Sequence, residues 1–133
     1  MRKVLIMIGS ESDRERMETA VPILRDAGVE TEVVVSSAHR EPDRTADLAR
    51  NAESRGFGAV ICGAGLSAAL PGVVAAHTAL PVIGVPLSAA LGGLDALLST
   101  VQMPPGVPVA CVGIDNATNA AHLALRILRN PSS

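Results

Sequence analysis

Three short stretches of this 133-residue chain gather side chains that move protons or grip anions. They are Gly9-Ser10-Glu11-Ser12-Asp13, then Ser36-Ser37-Ala38-His39-Arg40-Glu41-Pro42-Asp43, then Gly63-Ala64-Gly65-Leu66-Ser67-Ala68-Ala69. His39 is the one side chain among them that exchanges a proton easily near neutral pH. Arg40 can hold a phosphate through two parallel hydrogen bonds. Gly9 with Ser10 and Ser12 at a helix start offers backbone N–H groups, hydroxyl donors and a positive helix end to an anionic oxygen cluster. Gly63, Ala64 and Gly65 present little side chain and let a flat ligand approach the backbone. Each feature also has a plain structural explanation. Ser and Asp are preferred helix N-caps, a loop His or Arg is an ordinary surface group, and one Gly-Ala-Gly is weak evidence. Asp13 is harder to explain as a cap, because Ser10 and Ser12 are already available. An Asp beside a phosphate site commonly accepts hydrogen bonds from ribose hydroxyls.

The elements that must position these stretches follow from apolar periodicity. Continuous β-branched runs at Val4–Ile8, Thr31–Val35, Ala59–Cys62, Pro81–Val85 and Val107–Ile114 read as strands buried on both faces. Helices are expected at Asp13–Ala27, Asp43–Arg55, Ser67–Thr78, about Ala90–Val101 and Asn116–Leu128. Thr45, Leu48, Ala49 and Ala52 fall at the spacing of a one-sided apolar face, and Gly28 and Gly56 stand where helices end. Pro22 predicts a kink or a short first segment in the first helix. Five β-α units with short connections predict an α/β fold: a three-layer α-β-α sandwich on a five-stranded parallel sheet of flavodoxin-like order 2-1-3-4-5. Ligands bind such sheets at the carboxyl ends of the strands, where the order reverses. The three stretches follow strands one, two and three, so the topology brings them to one crevice.

Composition bounds the rest. Residues 1–133 suit a single domain, with 48% hydrophobic and 18% charged residues. There is one Phe (Phe57) and no Trp or Tyr, which argues against base-stacking and cation-cage functions. A net charge of −2 argues against polynucleotide binding. The opening Met1-Arg2-Lys3 has the charge of a signal peptide, but the apolar run after it stops at Gly9, and no stretch is long enough to span a membrane. Cys62 and Cys111 make no metal-ligand spacing and read as buried small hydrophobes in a reducing cytoplasm. His77 and His122 fall within predicted helices and read as structural or solvated, and Asp115 reads as a cap or turn residue.

Taken together, Gly9-Ser10-Glu11-Ser12-Asp13, Ser37-Ala38-His39-Arg40-Glu41-Pro42, Gly63-Ala64-Gly65, Leu70-Pro71-Gly72, Leu80-Pro81-Val82-Ile83-Gly84-Val85-Pro86 and Leu94-Asp95 through Val101-Gln102-Met103-Pro104, with Gly106-Val107-Pro108-Val109, resemble the 5-(carboxyamino)imidazole ribonucleotide mutase and aminoimidazole ribonucleotide carboxylase family of purine biosynthesis. The resemblance runs from about Val4 to Leu128. It implies carboxyl transfer on an aminoimidazole ribonucleotide without metal, biotin or ATP. By the same resemblance Ser10, Ser37 and Arg40 hold the phosphate, Asp13 the ribose, and Gly63, Ala64 and Gly65 the ring and carboxylate. Ser12, Ala38 and Leu70 also line the substrate site, and His39 is the acid and base. The family's octameric assembly, with sites completed across subunits, implies a homo-oligomer in which the Leu94–Val101 helix and Met103-Pro104-Pro105-Gly106 supply interface surface.

The chain departs from the family pattern in places. Mutases usually carry a histidine before Leu-Pro-Gly, where Ala69 stands here, and Leu66 and Ser67 replace the common Gly and Ala. The carboxylase branch lacks that histidine too, but usually has SAHK where this chain has Ser37-Ala38-His39-Arg40, so the two markers point to different carboxyl donors. The chain ends at Ser133 soon after the fifth helix, where relatives often add a helix that embraces a neighbour, which predicts a smaller particle if that helix is essential. Two other functions compete: a carboxylase or decarboxylase of another nucleotide, such as the pyridinium mononucleotide of nickel-pincer cofactor synthesis, and a non-catalytic nucleotide-binding subunit.

Overall fold

A computed structural model describes residues 1–129. The last four residues, and with them the expected chain end, lie outside the described residues. Five strands, β1 (Lys3–Ile8), β2 (Thr31–Val35), β3 (Phe57–Gly65), β4 (Val82–Leu87) and β5 (Ala110–Cys111), pair in the order β2-β1-β3-β4-β5. Every pairing is parallel; in the central rows Ile6 lies between Val33 and Ile61, and Ile61 pairs with Ile83. Six helices connect them: α1 (Arg14–Met17), α2 (Ala20–Asp26), α3 (Pro42–Asn51), α4 (Leu70–His77), α5 (Leu94–Val101) and α6 (Ala117–Leu128).

Because successive strand residues point to opposite faces, β1 supplies two cores. Val4, Ile6 and Ile8 pack with Ile61, Ile83 and Val85 beneath α1, α2 and α6. Leu5 and Met7 pack with Val60, Cys62 and Val82 beneath α3, α4 and α5. The expected three layers and strand order are present. On α3, Thr45 and Ala49 are buried, as is Ala52 just past its end, and Leu48 packs partly against the core. Gly28 and Gly56 adopt positive φ after their helices.

Several boundaries differ from expectation for local reasons. The stretch expected as one helix over Asp13–Ala27 is a 3₁₀ turn (Glu11–Asp13) followed by α1 and α2, broken at Glu18 and Thr19. Pro22 has no N–H to reach the Glu18 carbonyl, and the Val21 N–H takes it at 3.0 Å in a tighter turn. The strand expected over Val107–Ile114 shortens to Ala110–Cys111 on the sheet edge, where Pro108 has no donor for the ladder. Gly63, Ala64 and Gly65, expected in a loop, are the last residues of β3 and pair with Val85, Pro86 and Leu87. The helices expected from Ser67 and Ala90 start later, at Leu70 and Leu94, the second after Gly92 and Gly93 at positive φ.

Phe57 is fully buried at the start of β3, with the Lys3 ammonium 4.4 Å from its ring centroid, at the end of the sheet opposite the three stretches. Elsewhere the core gains density through close approach. A Cβ on Gly63 would sit 2.3 Å from Met17 Sδ, and one on Gly84 2.3 Å from Thr100 Cγ2, so glycines in β3 and β4 let α1 and α5 lie close on the sheet.

Candidate functional site

The carboxyl ends of β1, β2 and β3 open into one cavity of about 310 Å³. After β1 the chain turns at Gly9, whose N–H donates to the Gly63 carbonyl at 3.0 Å and binds the first stretch to the third. Ser10 occupies the N-cap position of the 3₁₀ turn, yet its hydroxyl caps nothing. It lies 3.0 Å from the Ser12 hydroxyl, and both line the cavity. The capping explanation for these serines therefore fails. Asp13 also leaves its helix uncapped; its buried carboxylate accepts from Arg16 Nη2 at 2.6 Å.

The second stretch is a tight turn held from both sides. Buried Ser36 and Thr45 hydroxyls meet at 2.7 Å, and the Glu41 N–H donates to the Ser37 carbonyl at 2.8 Å before Pro42 opens α3. Ser37 Oγ accepts the Arg40 N–H at 3.1 Å, so its own proton remains available to an outside acceptor. Ala38, His39 and Arg40 all face the cavity, the last two exposed. Among the described residues Arg40 makes no ion pair.

In the third stretch Ala64, Gly65 and Leu70 line the cavity. Gly63 does not. It lies one residue deeper in β3, where its carbonyl orients Gly9 and its missing side chain admits Met17. Leu66 is 56% exposed in a left-handed conformation (φ 55°), and the Ala68 N–H donates to its carbonyl at 2.9 Å. No Phe, Tyr or Trp lines the cavity, whose wall on the β3 side is backbone and the small side chains of Ala64, Gly65, Ser67, Ala68 and Ala69.

Arg16 and Ser88 are the residues that sequence reasoning missed, and Asp115, expected as a cap or turn residue, is a turn residue with further bonds. Arg16 lines the cavity and contacts Asp13, Asp115 Oδ1 at 3.0 Å and the Ser88 carbonyl at 3.0 Å. Its three-residue spacing from Asp13 was the available signal. Asp115 is not the cap of α6; that role belongs to Asn116, which accepts the Asn119 N–H at 3.1 Å. Asp115 instead accepts the Ser88 N–H at 2.8 Å and the Ser88 hydroxyl. Desolvation pushes its carboxyl upward, but the Ser88 bonds and the Arg16 charge outweigh that and hold it below the ordinary value. Of the other singled-out residues, His77 Nδ1 meets the Val73 carbonyl of its own helix at 2.8 Å and His122 is exposed on α6. Cys62 is buried as expected, which pushes its thiol far up, whereas Cys111, expected buried too, is half-buried because its strand lies at the sheet edge.

An open parallel sheet with a cavity at its switch point defines the class of doubly wound α/β proteins that bind their ligands at the carboxyl ends of the strands. Within it, the chain belongs to the AIR carboxylase family, whose family model matches residues 3–132. It is 59% identical over 129 residues to the N5-carboxyaminoimidazole ribonucleotide mutase of Pyrococcus abyssi, covering 96% of this chain and 74% of that one. It is 54% identical over 124 residues to the phosphoribosylaminoimidazole carboxylase of Saccharomyces cerevisiae, covering 92% of this chain and 22% of that much longer one. The crystal structure of Treponema denticola PurE superposes with a TM-score of 0.81 at 31% identity, over 94% of this chain and 78% of that one.

Proposed function

We propose that the chain transfers a carboxyl group on an aminoimidazole ribonucleotide to give 4-carboxy-5-aminoimidazole ribonucleotide, a step of purine biosynthesis, with His39 as general acid and base. The observation that carries this reading is the convergence of His39, the Ser10 and Ser37 hydroxyls and Arg40, which makes no ion pair among the described residues, in one cavity without Phe, Tyr or Trp. Arg16 is engaged by two carboxylates, which leaves Arg40 as the cation available to a phosphate. Ser10 and Ser37 donate to the same group, and Asp13 accepts from the ribose. Ser12, Ala38, Ala64, Gly65 and Leu70 enclose the ring, with Gly63 shaping the floor from below. The protein acts in the cytoplasm as a homo-oligomer.

The chemistry needs one proton carrier. Protonation of the exocyclic nitrogen of the carbamate lets its N–C bond break and carbon dioxide leave. The enamine-like ring carbon then bonds to the trapped carbon dioxide, and that carbon's proton departs to restore aromaticity. His39 gives the first proton and takes the second, so the net reaction is an isomerisation. A small cavity keeps the carbon dioxide beside the ring. Ala69, in place of a histidine, favours a second reading in which free carbon dioxide is the donor and His39 only accepts the ring proton.

An assay of purified protein with aminoimidazole ribonucleotide and bicarbonate, against one with the carbamate, distinguishes the two donors. Turnover of neither overturns the assignment. His39→Asn is expected to lower kcat by roughly 10²-fold or more while ribonucleotide binding persists. Full activity in that variant overturns the role of His39.

A further inference from the structure

Arg16 does not follow from the proposed reaction, yet it is the most heavily bonded side chain at the cavity. Its Nη2 donates to Asp13 Oδ1 at 2.6 Å, and its Nη1 donates to Asp115 Oδ1 and to the Ser88 carbonyl, each at 3.0 Å. Asp115 is itself fixed. It holds a left-handed backbone (φ 60°), its N–H donates to the Pro86 carbonyl at 2.8 Å, and its carboxylate accepts both the Ser88 N–H and hydroxyl. A continuous chain of bonds therefore runs from the end of β4 to Asp13, a residue on a one-turn 3₁₀ segment with no cap of its own.

We infer that Arg16, anchored by Asp115 and Ser88, is a positioning residue that sets the orientation of Asp13 toward the ribose hydroxyls of the substrate. The inference rests on the ribonucleotide reading above. One carboxylate oxygen of Asp13 is committed to Arg16, while no protein donor among the described residues reaches Oδ2. A carboxylate held by one oxygen presents the other in a fixed direction, which is the preorganisation that a bond to neighbouring hydroxyls requires. The two carboxylates also consume the charge of Arg16 and keep it from competing with Arg40 for the phosphate.

The test is equilibrium binding of aminoimidazole ribonucleotide and its 2′,3′-dideoxy analogue to the wild-type protein, Asp115→Asn and Arg16→Met. Asn tolerates the left-handed backbone at position 115, and Met keeps an unbranched stem at position 16. The wild type is expected to prefer the ribonucleotide, and both variants to lose about tenfold of that preference with the affinity for the analogue retained. Arg16→Lys is expected to restore part of the preference. Ser88→Ala removes one donor to Asp115, leaves the backbone intact and is expected to shift the preference in the same direction, which keeps the inference testable if Asp115→Asn fails to fold. Equal losses for both ligands, or no loss, overturn the positioning role alone. A wild type that binds neither ligand overturns the ribonucleotide reading and this inference with it.

Discussion

Leu66 and Asp115 are the two non-glycine residues with left-handed backbone among those described, and both stand at the carboxyl rim of the sheet. At Asp115 the bonds from Ser88 and Arg16 offset the strain. At Leu66 the side chain is 56% exposed, so little apolar burial compensates a conformation that costs an ordinary residue about 1–2 kcal/mol. Leu66→Gly is therefore expected to stabilise the fold by about 1 kcal/mol, less what glycine loses through the unfolded chain. A denaturant titration checks this, and a fall in midpoint at unchanged slope would show that the Leu66 side chain packs more tightly than its exposure implies. At this scale the sequence revealed the residues that directly follow strands: Ser10, Asp13, Ser37, His39 and Arg40 line the cavity because the strand ends put them there. It could not reveal the Arg16–Asp115 bond, because partners 99 positions apart meet only once the sheet is assembled.

Among the elements, the strands were legible because burial on both faces leaves an uninterrupted apolar run, and β1, β3 and β4 are buried almost throughout. Helix starts were less so. The serines before α1 and α4 invite an N-cap reading, but the structure spends them on the cavity or leaves them exposed. The scarcity of large aromatic side chains has its counterpart here: the sheet carries glycine where helices touch it. Thr100 is fully buried with its hydroxyl on the Ala96 carbonyl, so it cannot swing away from a new neighbour on β4. Gly84→Ala would also meet Val109 Cγ1 at 3.2 Å. It is expected to cost about 1–3 kcal/mol by overpacking. Thr100→Ser in the same chain removes the clashing methyl and keeps the hydroxyl bond, so the double variant should recover most of that loss. A double variant no more stable than Gly84→Ala alone, measured by thermal unfolding, would place the strain in the β4 backbone instead.

For the molecule as a whole, one face is unfinished. Leu91, Leu94, Leu98 and Val101 on and before α5 are 45–68% exposed, and Ile114 adjoins them across the Gly93 turn. Beside them Asp95 Oδ1 is the one buried side-chain oxygen without a hydrogen-bond partner among the described residues. Apolar side chains exposed together on one helix mark a surface for association. Covering Leu94 and Leu98, each about half exposed, contributes about 1 kcal/mol per side chain, repeated at every copy of the contact. A second copy of the chain is the proposed occupant, because the patch sits on the Leu94–Val101 helix, the segment to which the family resemblance assigns interface surface. Sedimentation equilibrium of the wild type is then expected to give at least twice 13.6 kDa. Leu98→Glu, which puts a charge in the middle of the patch and touches neither core, should reduce the particle toward one chain without lowering the helical content seen by circular dichroism. A monomeric wild type would remove the interface from α5.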